Sequence, residues 1–229
     1  MRIISYLKES IEKDERHLGH FYRDFEVLTG IGKEAFDPEN PEHEEIRERA
    51  AALQDNGDGM DMMYVSQFEF TNRRTIDGLA ADYGVRKVVN GAEYVVLRGE
   101  ALGIYLQSLA RVEVDGEVMI GSIERNPVKA WITMESVHQY NEKTGVNAYV
   151  GNRFFIKGEQ LKYTWNEGKV NLRDRKEAAM YIPRAISRIP ALIEECEHKI
   201  AGYRQQVKEL EVIISKPWPK ADLLIEDRQ

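Results

Sequence analysis

Basic and aromatic side chains are interleaved between residues 149 and 169 of this 229-residue sequence. Aromatic rings with cations between them can hold single-stranded nucleic acid, because bases stack on the rings while the cations follow the phosphates. The aromatic residues are Tyr149, Phe154, Tyr163 and Trp165, and the cations are Arg153, Lys157, Lys162 and Lys169. The pattern is also typical of a sheet with an aromatic core face and a solvated cationic face, and the formal net charge of -7 favours this second interpretation. The candidate nucleic-acid-binding residues are Arg153, Lys157, Lys162, Trp165 and Lys169.

No motif for catalysis or for a cofactor occurs in the sequence. It contains no Walker-type phosphate loop, no nucleophile elbow and no His-Glu-x-x-His helix. His17 and His20 have a spacing that allows two imidazoles on one metal, but no third ligand lies nearby. Asp55, Asp58 and Asp61 lie in an acidic, glycine-containing loop whose offsets do not match a calcium loop. We therefore predict no catalytic residue, no metal site and no cofactor.

Composition limits the class of protein further. Hydrophobic residues make up 42% and charged residues 31%, a globular balance that allows one or two domains. The sequence pI near 5.4 argues against a broad basic face for duplex DNA. Cys196 is the only cysteine, so the chain can form neither an internal disulfide nor a cysteine-built zinc site. Because a charged stretch runs from Lys8 to Glu15 and no run approaches about 20 apolar residues, we expect neither a signal peptide nor a membrane span. The lone cysteine predicts a reducing, cytoplasmic compartment.

Long amphipathic helices are predicted at both ends of the chain. Apolar residues recur every three or four positions from Ile3 to Leu28, with Asp14 weakening the stripe. A heptad seam follows near the C-terminus and ends at Lys216-Pro217-Trp218-Pro219. Its members are Ile186, Ile189, Ile193, Cys196, Ile200, Tyr203, Val207, Leu210 and Ile214. We infer an antiparallel coiled coil between the two helices, with a homodimer as the competing arrangement. The candidate partner-interface residues are Ile193, Ile200, Tyr203, Val207, Leu210 and Trp218.

The middle of the sequence is mixed. The patterns predict helices over Glu44–Leu53, Thr75–Tyr83 and Glu100–Val112, a short helix over Trp131–Tyr140, a strand over Met62–Phe70, and hairpins around Asn90-Gly91 and Asp115-Gly116. A meander of four strands is predicted over Ala148–Tyr149, Arg153–Ile156, Leu161–Trp165 and Lys169–Leu172, with a turn at Gly151-Asn152. The predicted class is α+β, with small antiparallel sheets flanked by helices. We expect three regions: an N-terminal helical region over 1–60, a mixed core over 61–181, and the C-terminal helix with its Pro-Trp-Pro tail over 182–229.

The C-terminal half of the sequence resembles a known family. The helix from Ile182 to Trp218 is similar to the C-terminal region of very large proteins of bacterial mobile elements and phages, which combine Swi/Snf-type helicases with adenine-specific DNA methylases. Gly99-Glu100-Ala101-Leu102, Ile120-Gly121 and Tyr149-Val150-Gly151-Asn152-Arg153-Phe154 look like counterparts of further family elements. The resemblance covers roughly Gly99 to Leu224, without the segment Glu124–Gly145 and without any helicase or methylase motif. It implies a non-catalytic accessory domain that positions DNA or partner subunits for the enzyme domains.

Three functions follow as hypotheses. The first is an accessory module of a helicase or methylase system, whose partners are the enzyme domains and DNA. The second is a phage or mobile-element inhibitor of a host defence nuclease, for which an acidic chain without catalytic motifs is suitable. The third is a structural dimer that assembles through the helices.

Overall fold

The structure is a computed structural model that describes residues 2–37, 48, 63–65, 85–89, 91–125 and 128–216. Four α-helices and seven β-strands are found in these ranges. The helices are α1 (Arg2–Thr29), α2 (Gly99–Leu109), α3 (Arg175–Ala179) and α4 (Tyr181–Ser215). The strands are β1 (Met63–Val65), β2 (Val85–Val89), β3 (Ala92–Leu97), β4 (Glu117–Arg125), β5 (Val128–Asn141), β6 (Val146–Lys157) and β7 (Lys162–Tyr163). Short 3₁₀ turns cover Lys33–Phe36 and Asn166–Gly168. The predicted α+β class is confirmed.

The chain divides into two compact units that share the long helices. The helical unit consists of Met1–Gly19 and Leu192–Gln229, and the sheet unit consists of His20–Ala191. Helices α1 and α4 therefore each contribute residues to both units. Within the described ranges, no helix has the length and apolar character needed to cross a membrane.

The strands of the sheet unit form one antiparallel sheet in the order β2-β3-β1-β4-β5-β6-β7. The hairpin predicted at residues 90 and 91 is confirmed, because Val89 pairs with Ala92 and Gly91 has a φ of +80°. A two-residue hairpin turn requires positive φ, which glycine adopts without a steric penalty.

One face of this sheet is covered by helices. The Tyr105 hydroxyl of α2 donates to the carbonyl of Ile120 at 3.0 Å, and the Tyr181 hydroxyl of α4 donates to the carbonyl of Phe154. The rings of Phe154 and Tyr181 also meet edge to face, with centroids 6.1 Å apart. The core beneath is apolar, with Leu102, Leu106, Leu109, Ile132, Met134, Ile156, Ile182, Ile186 and Ile189 all buried. Sheet and helices are thus joined by apolar packing and by tyrosine hydroxyls that reach strand carbonyls.

Two predictions between α2 and β6 are wrong. The segment Trp131–Tyr140 is not a helix but lies within β5, whose backbone pairs with β4 and β6 on its two sides. Hydrogen bonds to strands on both sides stabilise this segment as a strand. They outweigh its weak helical spacing, and its β-branched residues also favour a strand. The second hairpin is also absent, because residues 110–116 connect helix α2 to β4, so Asp115-Gly116 is followed by a strand but not preceded by one.

The predicted meander has fewer strands than expected. Ala148–Tyr149 and Arg153–Ile156 belong to the single strand β6, and Gly151-Asn152 is not a turn. The register between β5 and β6 shifts there, which leaves Val150 without a partner in the ladder, as in a β-bulge. Strand β7 is limited to Lys162–Tyr163, and Lys169–Leu172 is not a strand. The predictions for Glu44–Leu53 except residue 48, for Thr75–Tyr83 and for most of Met62–Phe70 lie outside the described residues.

The helical unit is held by contacts between α1 and α4. Ion pairs join Lys8 to Glu211 at 2.9 Å, Asp14 to Lys199 at 2.8 Å and Glu15 to Arg204 at 2.6 Å. Lys8, near the start of α1, pairs with the end of α4, whereas Asp14 and Glu15 pair with residues 7 to 12 positions earlier in α4, so the two helices run antiparallel. Asp14 is only 6% exposed, and the Lys199 ammonium compensates the cost of burying its charge.

A buried carboxylate ties the end of α1 to the turn between β6 and β7. Asp24 is fully buried and accepts hydrogen bonds at 2.9 Å from the backbone N–H groups of Gln160 and Leu161 and from the Tyr163 hydroxyl. A Cβ added at Gly158 would lie 2.4 Å from the Asp24 carboxyl carbon, so the turn leaves room only for glycine. Burial, reinforced by the Asp24 charge, raises the pKa of Tyr163, which stays a neutral donor. Both oxygens of this buried carboxylate therefore accept at least one hydrogen bond.

Replacing Asp24 by alanine is expected to lower the free energy of unfolding by about 2–4 kcal/mol, because each buried donor left without an acceptor costs about 1–3 kcal/mol. Urea denaturation followed by circular dichroism measures the change. Asp115→Ala, at an exposed position of the loop before β4, is the matched control. A loss no larger than that of the control would contradict the role given to Asp24.

Candidate interaction surface

The face of the sheet away from α2 and α4 carries the predicted cations of β6. Along this strand Arg153 and Lys157 are exposed and Phe155 is half-buried, while the intervening Asn152, Phe154 and Ile156 are buried. Side chains alternate between the two faces of a strand, so Arg153, Phe155 and Lys157 share the side opposite to the helices. We call this side the outer face. Strand β5 adds half-buried Trp131 to it, in register with Lys157.

Two lysines meet at the β7 edge of the outer face. Lys157 and Lys162 are register partners on β6 and β7. The Lys162 ammonium contacts the Glu117 carboxylate and lies 5.2 Å from the centre of the Phe155 ring. The hydrogen bond from Lys162 is the main cause that lowers the pKa of Glu117 below its ordinary value, and the charge of Lys157 lowers it further. Two cations, one aromatic ring and one carboxylate therefore form a compact group.

A second cationic group lies around the 3₁₀ turn Asn166–Gly168. Lys169 pairs with Glu167 at 3.0 Å, and a Cβ added at Gly168 would lie 2.9 Å from the Arg153 Cβ. Lys169 first, and Arg153 to a smaller extent, lower the pKa of Glu167. The structure thus divides the four predicted cations into two pairs, Lys157 with Lys162 and Arg153 with Lys169.

Trp165 does not join either pair. Its ring lies under the Arg184 guanidinium, 5.8 Å from ring centroid to Cζ, and the same guanidinium contacts the Glu177 carboxylate through both of its terminal nitrogens. The backbone N–H of Trp165 lies 3.5 Å from the Tyr181 hydroxyl. This tryptophan therefore has an arginine, rather than the lysines of the outer face, as its cationic neighbour.

An open cleft of about 470 Å³ lies between the end of α2, the β5–β6 bulge and the segment after β7. It is lined by Ala110, Arg111, Val137, Tyr149, Val150, Gly151, Asn152, Arg153, Lys169, Val170 and Leu172. Three of these lining residues are cations, Arg111, Arg153 and Lys169, and none is acidic. Val150 and Leu172 expose 56% and 47% of their surface, which gives the cleft an apolar rim. Sequence reasoning identified Arg153 and Lys169 but not Arg111, Val150 or Leu172, since the bulge that gathers them was predicted to be a turn.

Asn152 fixes the floor of the cleft. Its side-chain amide donates to the carbonyls of Leu109 at 2.8 Å and Val112 at 2.7 Å, and its carbonyl accepts from the Ser136 hydroxyl at 2.9 Å. The Tyr149 hydroxyl, whose pKa is raised by burial, donates to the carbonyl of Ala110 at 3.3 Å. The last carbonyls of a helix have no partner within the helix, so side chains of β6 satisfy the end of α2. An asparagine inside a strand pattern, where asparagine is unfavourable, is the one signal that could have indicated this site.

The predicted partner-interface residues lie on α4. Ile193, Ile200 and Val207 are buried, and Tyr203 and Leu210 are half-buried. Trp218 lies outside the described residues. Within the part of the chain that the structure describes, no group of three or more His, Cys, Asp or Glu side chains is placed to hold a metal ion.

The fold and these surfaces define an α+β protein in which helices pack on one face of an antiparallel sheet and a cationic cleft lies at its edge. Residues 99–186 match a family described as Domain of unknown function (DUF8438). The matched segment runs from the start of α2 into α4 and contains both the outer face from β4 to β7 and the cleft. No curated protein and no solved structure matches the chain.

Proposed function

We propose that this chain is a non-catalytic accessory module of a DNA-processing helicase or methylase system of a mobile element, and that it contacts single-stranded DNA through its outer face. The observation that carries the proposal is the grouping of Lys157, Lys162 and Phe155 on an exposed sheet surface. We place this activity in the cytoplasm, where a lone cysteine remains reduced. The link to enzyme domains is supported by the resemblance from Gly99 to Leu224 and by the absence of catalytic motifs from the sequence.

The chemistry of the outer face suits an unpaired strand. Phe155 and Trp131 offer rings for stacking, and base–aromatic stacking contributes about 1–3 kcal/mol per base. Lys157 and Lys162 lie beside the rings, where phosphates of a stacked strand would pass. The Glu117–Lys162 pair is partly exposed, with side chains 28% and 38% accessible, and exposed pairs contribute only about 0.2–1 kcal/mol. A phosphate can therefore replace Glu117 as the partner of Lys162 at small cost.

The overall charge sets the expected strength of this contact. A net charge of -7 repels DNA from most of the surface, so binding is local, weak and sensitive to salt. An accessory role fits such a contact, because enzyme domains joined to the module would hold the DNA nearby and raise its effective concentration.

Fluorescence anisotropy with a labelled oligothymidine of about 16 nucleotides tests the proposal. The double variant Lys157→Ala/Lys162→Ala is expected to lower the salt slope, d log K/d log[salt], by about 1.4 in magnitude, since each single-strand phosphate contact contributes about 0.7. Phe155→Ala is expected to weaken binding at every salt concentration without changing the slope, because stacking releases no counterions.

The matched control is Lys13→Ala/Lys208→Ala, which removes the same charge from exposed positions of the helical unit. Equal losses of DNA affinity in the two double variants would mean that binding depends only on the net charge of the chain. No binding of the unaltered chain at low salt would eliminate the DNA contact.

A protein-partner function is the second candidate, and the end of the β5–β6 hairpin favours it. Tyr140, Val146 and Val150 expose 59%, 57% and 56% of their surface there. Apolar side chains on an exposed hairpin suit contact with a protein surface. Inhibition of a host defence nuclease and structural dimerisation both belong to this class, and both predict that the chain has no affinity for DNA.

We also propose that α1 and α4 pack as an antiparallel coiled coil within one chain. The buried heptad positions Ile193, Ile200 and Val207, with Leu7 buried on α1, support this packing. The buried Asp14 carboxylate, held by the exposed Lys199 ammonium, would favour one register of the two helices, as buried polar residues do in coiled coils.

Carbodiimide cross-linking distinguishes pairing within a chain from pairing between chains. The pairs Lys8–Glu211 and Lys199–Asp14 each lie within 3 Å, close enough to cross-link. In an equal mixture of unlabelled and ¹⁵N-labelled protein, we expect these cross-links to join peptides of the same isotope label only, because both partners belong to one chain. Mixed-label cross-links at these residues, detected by mass spectrometry, would instead establish a homodimer through the same helices.

A further inference from the structure

We propose that the cleft between α2 and the β5–β6 bulge binds an acidic peptide segment in extended conformation, which pairs with the free edge of β6. This site is separate from the lysines and Phe155 of the DNA proposal, and it does not rest on that proposal.

The edge of β6 provides backbone groups for such a peptide. Apart from the bulge at Val150, β6 pairs with β5 from end to end on one side, whereas on the other side only Ile156 and Lys157 pair with a strand in the described part of the chain. Each strand of a sheet directs the N–H and C=O groups of alternate residues to each side. The edge from Tyr149 to Arg153 lines the cleft, with Lys169, Val170 and Leu172 on the opposite wall. An extended peptide placed between these walls would extend the sheet by one strand, a common mode of peptide recognition.

The bulge keeps this edge open. Val150 is unpaired in the β5–β6 ladder and 56% exposed, and Gly151 has a φ of +143° with no atom within 4 Å of a Cβ built on it. Among the described residues, none therefore packs against the position that a Gly151 side chain would occupy. The volume of about 470 Å³ lies within the range of about 300–1,000 Å³ that is usual for ligand pockets.

Charge selects the peptide. Arg111, Arg153 and Lys169 line the cleft, and the nearest carboxylate of the turn, Glu167, is paired with Lys169. The surplus of cations attracts carboxylates, while Val150, Val170 and Leu172 offer contacts for apolar side chains. We therefore expect acidic and apolar residues to alternate in the bound segment, since alternate side chains of a strand point to opposite sides.

Two other occupants suit the cleft less well. A second copy of β6 would bring the same cations face to face, and like charges in an interface are repulsive. A nucleic acid strand needs rings for stacking, and Tyr149, the aromatic residue of the lining, has its hydroxyl bound to the carbonyl of Ala110.

Selection of random octapeptides displayed on phage against the immobilised full-length chain tests the proposal. We expect enriched peptides to alternate Asp or Glu with apolar residues. Anisotropy of the most enriched peptide should show affinity falling about tenfold in Arg111→Ala/Lys169→Ala, because each change removes one cation from the cleft. The matched control Lys13→Ala/Lys208→Ala and the outer-face variant Lys157→Ala/Lys162→Ala should bind as the unaltered chain does.

Pairing through the backbone has its own readout. Methylation of the central amide nitrogens of the selected peptide removes donors without changing charge, and it should abolish binding. Four results would overturn the proposal: no enrichment of acidic peptides, equal binding by the Arg111→Ala/Lys169→Ala variant, displacement of the peptide by oligothymidine from that cleft, or self-association that this variant prevents. The last two would assign the cleft to nucleic acid or to a second copy.

Discussion

A fully buried aspartate, Asp24, holds the β6–β7 turn in place. Burying a carboxylate is costly unless donors surround it, and Asp24 meets this requirement with two backbone N–H groups and the Tyr163 hydroxyl. Because Gln160 and Leu161 belong to the turn between the two strands, the aspartate fixes the point from which Lys157 and Lys162 diverge. The neighbouring ion pair of Arg23 with Glu159, at 2.9 Å, is exposed and adds little by comparison. The geometry of the outer face thus depends on a single residue near the end of α1.

The cationic residues of the sheet lie in two different environments. Lys157 and Lys162 lie beside aromatic rings on a flat, solvated surface, whereas Arg153 and Lys169 line a concave edge with apolar walls. Flat aromatic surfaces favour stacked bases, and concave strand edges favour backbone pairing. The DNA contact and the peptide site that we propose therefore use different parts of one basic run in the sequence. Glu117 and Glu167 each offset one positive charge of the group beside them, so each group keeps a surplus of cations.

Local patterns predicted the parts of the fold that depend on local physics. The three- and four-residue spacing of apolar side chains predicted α1 and α4, and the requirement for positive φ at Gly91 predicted the β2–β3 hairpin. The strand β5 was not predicted, since its identity depends on ladders with β4 and β6 rather than on its own spacing. The floor of the cleft was not predictable either: Asn152 bonds to carbonyls 40 and 43 residues away in sequence. The cations were found from the local alternation of basic and aromatic residues. Their partners were not, because Glu117 lies 45 residues before Lys162 in the sequence.

In the function that we propose, the outer face, and not the cleft or the helical unit, contacts single-stranded DNA. Two-dimensional ¹H–¹⁵N NMR spectra of the full chain, recorded as oligothymidine is added, locate the contact residue by residue. We expect the amide signals of Phe155, Lys157 and Lys162 to shift, while those of Gly151, Leu172 and Leu7 remain in place. Shifts confined to the cleft or to the helical unit, or no shifts at low salt, would contradict this proposal.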